Sequence, residues 1–253
     1  MSKFNQKNVV ITGGNSGIGY ATASEFVRLG ANVTITGKNE AALRTAQEEI
    51  GGNIRSFLAN QANLADLDKL VSAVKESYSQ LDVLFINAGV VAMAPFAQIT
   101  EEQFDQNMDI NFKGAFFTLQ KFLPLLKEGS NVIFLSSINA YSAMPNTAVY
   151  GASKAALNSL ARTVATELSP LGIRVNVVAP GPVNTPIFGK ANLPQEAIGQ
   201  FAQAMQQRIP LKRFGNPEDI AKLVVFLASE DASFITGSEY VIDGGVNLNP
   251  ILS

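Results

Sequence analysis

Seven short, continuous apolar runs recur along the 253-residue chain, and stretches with a helical pattern separate them. Continuous runs are typical of strands that are covered on both faces, and the intervening stretches are long enough for right-handed crossover connections. The pattern predicts an α/β fold with a doubly wound parallel sheet of about seven strands and helices on both faces. The predicted strands are Asn8–Thr12, Asn32–Thr36, Ile54–Leu58, Asp82–Ile86, Asn131–Leu135, Ile173–Val178 and Glu239–Ile242.

The length of the chain and the absence of linker-like segments predict that residues 1–253 form a single domain. An α/β domain reaches roughly 250 residues without splitting, and the sequence shows no linker, repeat or low-complexity tract. Thr100 and Gln103 form a capping box, and Asn216 followed by Pro217 marks the start of another helix.

Composition excludes several kinds of chemistry, because the chain has no histidine and no cysteine. Histidine-based triads and zinc sites, thiol nucleophiles, disulfides and thiolate metal sites are therefore ruled out, and no metal is expected. A proton donor would have to be Tyr, Lys, Asp or Glu. The net charge of −2 offers no basic stripe for a phosphate backbone, so a small molecule is the expected partner and nucleic acid is not.

The first eight residues are polar, and the apolar run after them is only five residues long. Such a run is too short for the core of a signal peptide or for a membrane span. We therefore expect a cytoplasmic protein without a membrane partner.

A glycine-rich turn with the spacing G-x-x-x-G-x-G follows the first predicted strand and opens a helical pattern. Glycines let backbone N–H groups and the helix N-terminus approach a pyrophosphate, whose charge the helix dipole favours. A plain turn is the alternative, but this position is the one at which a Rossmann fold binds a dinucleotide. The cofactor-binding candidates in this turn are Gly13, Asn15, Ser16, Gly17, Ile18 and Gly19.

The end of the second strand bears on the choice of cofactor. An acidic side chain there would hydrogen-bond the adenosine ribose of NAD, but the chain reads Thr36-Gly37-Lys38-Asn39. A cation beside the missing acid favours the additional phosphate of NADP. NADP(H) is therefore the expected cofactor, with NAD(H) possible and a solvent-facing Lys38 as the alternative.

Tyr150 and Lys154 stand four residues apart in a helical pattern, so they lie on one helix face. A phenol with a pKa near 10 is a poor catalyst at neutral pH, and a nearby cation favours the phenolate. Ser137 follows the strand Asn131–Leu135 and so lies at the carboxyl end of the sheet, where its hydroxyl would donate to a carbonyl oxygen. Taken singly, each of these residues also fits a purely structural role.

Together these motifs resemble the short-chain dehydrogenase/reductase family, of the carbonyl reductase or alcohol dehydrogenase type, nearly end to end. The matching segments are Thr12–Gly19, Asn87–Gly89, Ser137, Tyr150 with Lys154, and Pro180–Thr185. The resemblance implies that Tyr150 is the general acid or base and that Ser137 orients the substrate carbonyl. It implies that Lys154 lowers the pKa of Tyr150 and holds the nicotinamide ribose, with Tyr150 as a further cofactor contact.

Further roles also come from this resemblance. Asn111 looks like a fourth catalytic residue that supports a water relay to Lys154, with a helix-bending polar residue as the alternative. Asn60 stands where many relatives carry an aspartate that accepts from adenine, which implies a weaker contact. Ile242–Gly245 resembles a signature beside a subunit interface. The remaining cofactor contacts implied are Asn87, Ala88 and Gly89 near the adenosine ribose, and Pro180, Gly181, Val183 and Thr185 near the nicotinamide.

The predicted function is reversible hydride transfer between a nicotinamide cofactor and a ketone or secondary alcohol. The apolar stretch Pro186–Pro210 is a candidate lid over the substrate, with an amphipathic helix packed on the body as the alternative. Tyr141, Met144 and Phe188 are candidate wall residues of a pocket for hydrophobic ketones.

The sequence leaves three other functions open: reduction of a 3-oxoacyl thioester, oxidation of a sugar, and a non-catalytic NADP-binding role. Lys212 and Arg213 are candidates for receiving an acidic acyl carrier, although such cations more often form a solvated surface. The apolar Ala155–Leu168 helix and the Val246–Leu252 tail favour association, and the resemblance implies a homotetramer.

Overall fold

All seven predicted strands form one parallel sheet. The computed structural model describes residues 3–185 and 204–248, and within it the strand order is β3-β2-β1-β4-β5-β6-β7. Every neighbouring pair is parallel, which confirms the predicted doubly wound fold in a single domain. The strands are β1 (Asn8–Ile11), β2 (Asn32–Gly37), β3 (Ile54–Leu58), β4 (Leu81–Ile86), β5 (Leu126–Leu135), β6 (Arg174–Pro180) and β7 (Glu239–Ile242).

Helices cover both faces of this sheet, which explains why its strands are apolar throughout. In β1, Val9 and Ile11 belong to one buried cluster and Val10 to the other, and all three are inaccessible to solvent. Helices α3, α5 and α6 contribute to the cluster with Val10, and helices α1, α2 and α7 to the opposite one. These helices are α1 (Gly17–Arg28), α2 (Glu40–Ile50), α3 (Leu64–Ser77), α4 (Glu101–Met108), α5 (Ala115–Phe122), α6 (Ala148–Leu168) and α7 (Pro217–Ala228).

The predicted helix starts are confirmed. Thr100 Oγ1 accepts from the Gln103 N–H at 3.2 Å, and the Gln103 side chain accepts from the Thr100 N–H at 3.1 Å, so α4 begins with a capping box. Pro217 is the first residue of α7, and the N–H of Asn216 before it donates to Asp219 at 2.9 Å. No helix in the described ranges is long and apolar enough to cross a membrane.

Two stretches differ most from the sequence-based expectation, and the other strand ends agree with it to within two residues. β5 begins at Leu126, five residues earlier than predicted, and its pairing with β4 shifts register between Leu81 and Val83. Ser130 Oγ bonds the Leu81 carbonyl at 2.7 Å there, so polar residues that carry no apolar signal extend the strand. A π-helix over Asp109–Gly114 joins α4 to α5, and periodicity does not predict such a segment.

The sheet order reverses between β1 and β4, since β1 continues to β2 on one side and to β4 on the other. A crevice forms beyond the carboxyl ends of the strands at such a switch point. The residues that follow β1, β4, β5 and β6 therefore meet at one edge of the sheet.

Candidate active site

The glycine turn connects β1 to α1 at the switch point. Gly13 and Gly17 have φ values of 65° and 54°, a conformation that glycine adopts without strain. A Cβ at Gly19 would overlap the Gly13 carbonyl oxygen and come 2.6 Å from Asn87 Nδ2, so the helix start packs closely on the turn. The Ser16 side chain makes no capping hydrogen bond to α1. The first amides of this helix keep the character of an anion-binding site.

The Asn87–Gly89 segment after β4 holds this turn in place. Asn87 Nδ2 donates to the carbonyl oxygens of Thr12 and Gly13 at 2.8 and 3.0 Å. In return, Thr12 Oγ1 accepts from the backbone N–H groups of Asn87 and Ala88, both at 3.0 Å. The structure thus brings together two segments that the sequence analysis singled out separately.

Lys38 lies exposed directly after β2, beside the glycine turn. The turn is bonded to the end of β2, because the Gly14 N–H donates to the Thr36 carbonyl oxygen at 2.9 Å. Asn60 is exposed after β3, and its Oδ1 accepts from the Ala62 N–H at 3.1 Å. Because an amide oxygen has two lone pairs, this oxygen retains one for a ligand.

Ser137 and Tyr150 meet at the carboxyl end of β5. Ser137 follows the strand, is buried, and accepts from the Asn139 N–H at 3.2 Å. Tyr150 lies in the first turn of α6, with its phenol beside the Ser137 side chain. Burial raises the pKa of Tyr150, and the Ser137 side chain opposes that effect. Both groups are therefore placed to act on one oxygen atom.

Lys154 is buried one turn further along α6. Its Nζ donates to the Leu135 carbonyl oxygen at 2.8 Å and lies 5.8 Å from the centroid of the Tyr150 ring. Burial lowers the pKa of Lys154 to about 8. Burial and Ser137 account for the shift in the pKa of Tyr150. The lowering of this pKa by Lys154 stays a prediction.

Asn111 is buried in the π-helix, and its side chain binds the segment that follows Gly89. Its Oδ1 accepts from the Val90 N–H at 2.8 Å, and its Nδ2 donates to the Val90 carbonyl oxygen at 2.9 Å and to Ser153 Oγ at 3.1 Å. A Cβ at Gly89 would lie 3.2 Å from Asn111 Oδ1 and 3.4 Å from Lys154 Nζ. The three predicted residues Gly89, Asn111 and Lys154 therefore converge, while the water relay stays a prediction.

The Pro180–Thr185 segment leaves the sheet beside the Ile242–Gly245 signature. The Gly181 N–H donates to the Ile242 carbonyl oxygen at 3.0 Å. Val183 is buried and forms a parallel bridge with Gly215. The two segments thus support each other at the end of β6.

The predicted substrate wall is only partly described. Tyr141 is half exposed, and its hydroxyl bonds the Glu239 carboxylate and Asn158 Nδ2. Burial and Glu239 raise its pKa. Met144 Sδ lies 3.8 Å from Asn139 Nδ2, which places it near Ser137. Phe188 and most of the candidate lid, residues 186–203, lie outside the described residues, and of the lid only 204–210 are described.

Some residues that contact the candidate site belong to none of the motifs in the sequence, Asn139 and Gln61 among them. Asn139, two positions after Ser137, donates from Nδ2 to Thr147 Oγ1 at 3.3 Å. Gln61 follows Asn60 and bonds the backbone beside Asn111. Neither belongs to a motif that spacing would reveal, because their partners lie on other elements.

A parallel doubly wound sheet with a glycine turn and a Ser-Tyr-Lys cluster at one edge defines an oxidoreductase of the Rossmann type. The family model described as "Enoyl-(Acyl carrier protein) reductase" matches residues 13–247. The chain belongs to the short-chain dehydrogenase/reductase family. It is therefore an enzyme acting on CH–OH or C=O groups, in a family that generally uses NAD(P)(H).

Three relatives show how closely the chain follows this family. It is 42% identical over 243 residues to oxidoreductase asL5 of Sarocladium schorii, covering 95% of each chain. It is 35% identical over 245 residues to the 3-oxoacyl-[acyl-carrier-protein] reductase FabG of Thermotoga maritima, covering 95% of this chain and 97% of that one. A solved structure from Brucella melitensis, described as a short-chain glucose/ribitol dehydrogenase, superposes with a TM-score of 0.91 at 33% identity, covering 96% of this chain and 98% of that one.

Proposed function

We propose that this chain is an NADP(H)-dependent carbonyl reductase that transfers hydride reversibly between the nicotinamide and a ketone or secondary alcohol. The observation that carries the proposal is the grouping of Ser137, Tyr150 and Lys154 at the carboxyl end of β5, where the buried Lys154 Nζ lies 5.8 Å from the centroid of the Tyr150 ring. Two hydroxyl donors at one point suit a carbonyl oxygen that gains negative charge during reduction.

The protein's own residues handle the oxygen and its proton. Burial raises the pKa of Tyr150, so the phenol is protonated at neutral pH and ready to donate to the forming alkoxide. Ser137 donates to the same oxygen and holds it in place. Lys154 would hold the nicotinamide ribose, and Asn111 would support a water that supplies protons from solvent. The bound nicotinamide supplies the hydride.

The cofactor-binding residues follow from the shape of the crevice. The close packing of Gly19 on Gly13 and the uncapped first turn of α1 fit a pyrophosphate. We assign the adenosine ribose to Asn87–Gly89, the adenine to Asn60 and the nicotinamide end to Pro180–Thr185. The exposed Lys38 beside the turn supports a preference for NADP(H) through its charge, with NAD(H) as the alternative.

An apolar ketone is the favoured substrate over an acyl thioester on an acidic carrier. Arg213 is ion-paired with Asp219 at 2.7 Å, and Lys212 Nζ donates to the Gln207 carbonyl oxygen at 2.9 Å. Both cations thus serve their own segment rather than a docking surface. Reduction of a 3-oxoacyl thioester stays the second candidate because of the likeness to FabG, and sugar oxidation the third because of the likeness to the glucose/ribitol dehydrogenase structure.

The direct test is a substrate panel followed through NADPH or NADH absorbance. Aryl and alkyl ketones, keto esters and a 3-oxoacyl thioester are reduced, and sugars are offered with the oxidised cofactors. We expect the highest kcat/KM for apolar ketones with NADPH. A thioester or a sugar in first place would support the corresponding alternative, and inactivity across the panel would favour a non-catalytic NADP-binding protein.

We also propose that the chain assembles as a homotetramer in the cytoplasm. Phe234 and Leu248 are largely exposed, and the edge strand β7 exposes Val241. Exposed apolar side chains of this kind favour association. Light scattering coupled to size exclusion would show the tetramer; a dimer would correct the assembly and leave the mechanism unchanged.

A further inference from the structure

Gln61 hydrogen-bonds two segments of the candidate site, the π-helix and the Asn87–Gly89 segment. It follows β3 and is only 6% exposed. Its Nε2 donates to the Ile110 carbonyl oxygen at 2.9 Å and, over a longer distance of 3.4 Å, to the Ala88 carbonyl oxygen. Ile110 directly precedes Asn111 in the π-helix, and Ala88 precedes Gly89. The Gln61 carboxamide thus links the π-helix to the Asn87–Gly89 segment, next to the place where Asn111 and Lys154 approach Gly89.

Gln61 also contacts the far end of the π-helix. A Cβ at Gly114, the last residue of that helix, would come 2.5 Å from the Gln61 carbonyl oxygen and 2.8 Å from its Cγ. Any larger residue at 114 would push the two segments apart. The π-helix is thus held against Gln61 at both ends, through a hydrogen bond at Ile110 and through close packing at Gly114.

The other half of the Gln61 carboxamide makes a purely structural role a poor explanation. Its Oε1 is buried and has no hydrogen-bond partner among the described residues. Reversing the amide would not help, because it would set that oxygen against two carbonyl oxygens. A buried acceptor without a partner costs stability, so the need to fold does not by itself explain an amide at this position. What the amide adds is the donor toward Ile110 and Ala88.

We propose that Gln61 is a positioning residue that holds the π-helix of Asn111 against the Asn87–Gly89 segment and so places Asn111 beside Gly89 and Lys154. This inference rests on the proposed function, in which Asn111 supports proton supply to Lys154. Gln61 itself contacts neither substrate nor reacting atoms. Its loss is expected to slow turnover and to leave substrate binding almost unchanged.

The test compares Gln61→Met with Gln47→Met as the matched control. Gln47 is a partly buried glutamine on α2 that bonds Ser56 Oγ at 2.7 Å, away from the candidate site. We expect Gln61→Met to lower kcat about tenfold with KM for the ketone nearly constant, because a misplaced supporting residue costs rate rather than binding. The control should keep its kcat.

A double-mutant cycle distinguishes two explanations for a lower kcat: misplacement of Asn111 and a general loss of order in the protein. In an Asn111→Ala background, Gln61→Met should lower kcat no further, because both changes remove the same support. Equal tenfold losses in both backgrounds would overturn the proposal, as would an unchanged kcat in the single variant. Gln61→Asn, which keeps the amide but shortens its reach, provides a second variant with the same expected outcome if the methionine variant fails to fold.

Hydrogen exchange supplies a readout that does not depend on activity. Amides of Asp109–Gly114 should exchange about fivefold faster in Gln61→Met than in the wild type, and should be unchanged in Gln47→Met. Unchanged exchange in Gln61→Met would contradict the proposal even if no substrate were found. A wild-type protein that is inactive on every substrate, with faster exchange in the variant, would instead remove the proposed function and leave Gln61 as the support of this helix.

Discussion

The glycine-turn end of the crevice is built mainly from backbone, whereas the Tyr150 end is built from side chains. At the first end, Asn87 ties carbonyl oxygens of the turn to the neighbouring strand, and the ligand surface consists of amides and glycines. At the second, the side chains of Ser137 and Lys154 are buried and that of Tyr150 is partly buried, and the pKa of Tyr150 is raised while that of Lys154 is lowered. Changes at the first end should therefore alter cofactor affinity, and changes at the second should alter turnover.

The largest effect short of removing the general acid is expected for Ser137→Ala. Loss of a donor to the developing oxyanion should lower kcat by about 10²–10³-fold while the NADPH Kd stays constant. Steady-state kinetics and fluorescence titration measure the two quantities. Ser142→Ala is the matched control, since Ser142 Oγ donates to the Ile138 carbonyl oxygen at 3.0 Å in the same segment. A weaker NADPH affinity in Ser137→Ala would contradict the separation of cofactor binding from turnover between the two ends.

Asn87→Ala should show the opposite signature. Removal of the bonds to Thr12 and Gly13 loosens the glycine turn, and two such bonds contribute about 1–3 kcal/mol, which corresponds to roughly a fivefold to 160-fold rise in the NADPH Kd. At saturating cofactor, kcat should change little. Asn32→Ala, which removes a bond to Asn8 at the amino end of the sheet, should alter neither quantity; a fall in kcat without a rise in Kd would contradict the comparison.

Lys38→Ala tests the choice of cofactor at the backbone-built end. Loss of an exposed cation beside the additional phosphate should raise the NADPH Kd about tenfold and leave the NADH Kd unchanged. Isothermal titration with both cofactors measures the difference, and Lys75→Ala on the exposed face of α3 serves as the control. Equal effects on both cofactors would show that Lys38 does not select NADPH.

The smallest effect is a pH dependence of stability at the side-chain end. Burial lowers the pKa of Lys154 to about 8, below its value near 10.4 in an unfolded chain, so the buried charge opposes folding most below about pH 8 and this penalty fades as pH rises toward 10.4. Lys154→Met should therefore be more stable than the wild type at pH 7 in denaturant unfolding, with a smaller advantage at pH 10. Lys75→Met should show no such trend, and an advantage that grows with pH would contradict the assignment.

The sequence predicts the strands well, for a physical reason. Strands covered on both faces are continuously apolar, as Val9, Val10 and Ile11 show, and the Ser-Tyr-Lys cluster lies on residues whose spacing along one strand and one helix is visible in the chain. The start of β5 at Leu126 is missed because Ser130, not an apolar side chain, secures it.

The unpredicted features depend on contacts between distant residues. Tyr141 bonds Glu239 across 98 residues, and no local pattern connects the two. The π-helix presents Asn111 beside Gly89 and Lys154, and its support comes from Gln61, 49 residues before the carbonyl group that Gln61 binds. Periodicity and spacing in the sequence indicate which residues share one helix or strand. These contacts join residues on different elements, so neither pattern predicts them.

The central claim is that Tyr150 is the general acid of a carbonyl reductase whose cofactor site is built separately from it. Tyr150→Phe removes the phenol oxygen that would donate the proton. Tyr20→Phe is the matched control, because it removes a phenol oxygen whose hydrogen bond to Glu49, at 3.2 Å, is exposed. The measurement is NADPH oxidation with the best ketone, together with the NADPH Kd. The account predicts that Tyr150→Phe loses at least about 10³-fold in kcat with an unchanged Kd, while Tyr20→Phe keeps both. Turnover by Tyr150→Phe close to that of the wild type would contradict it.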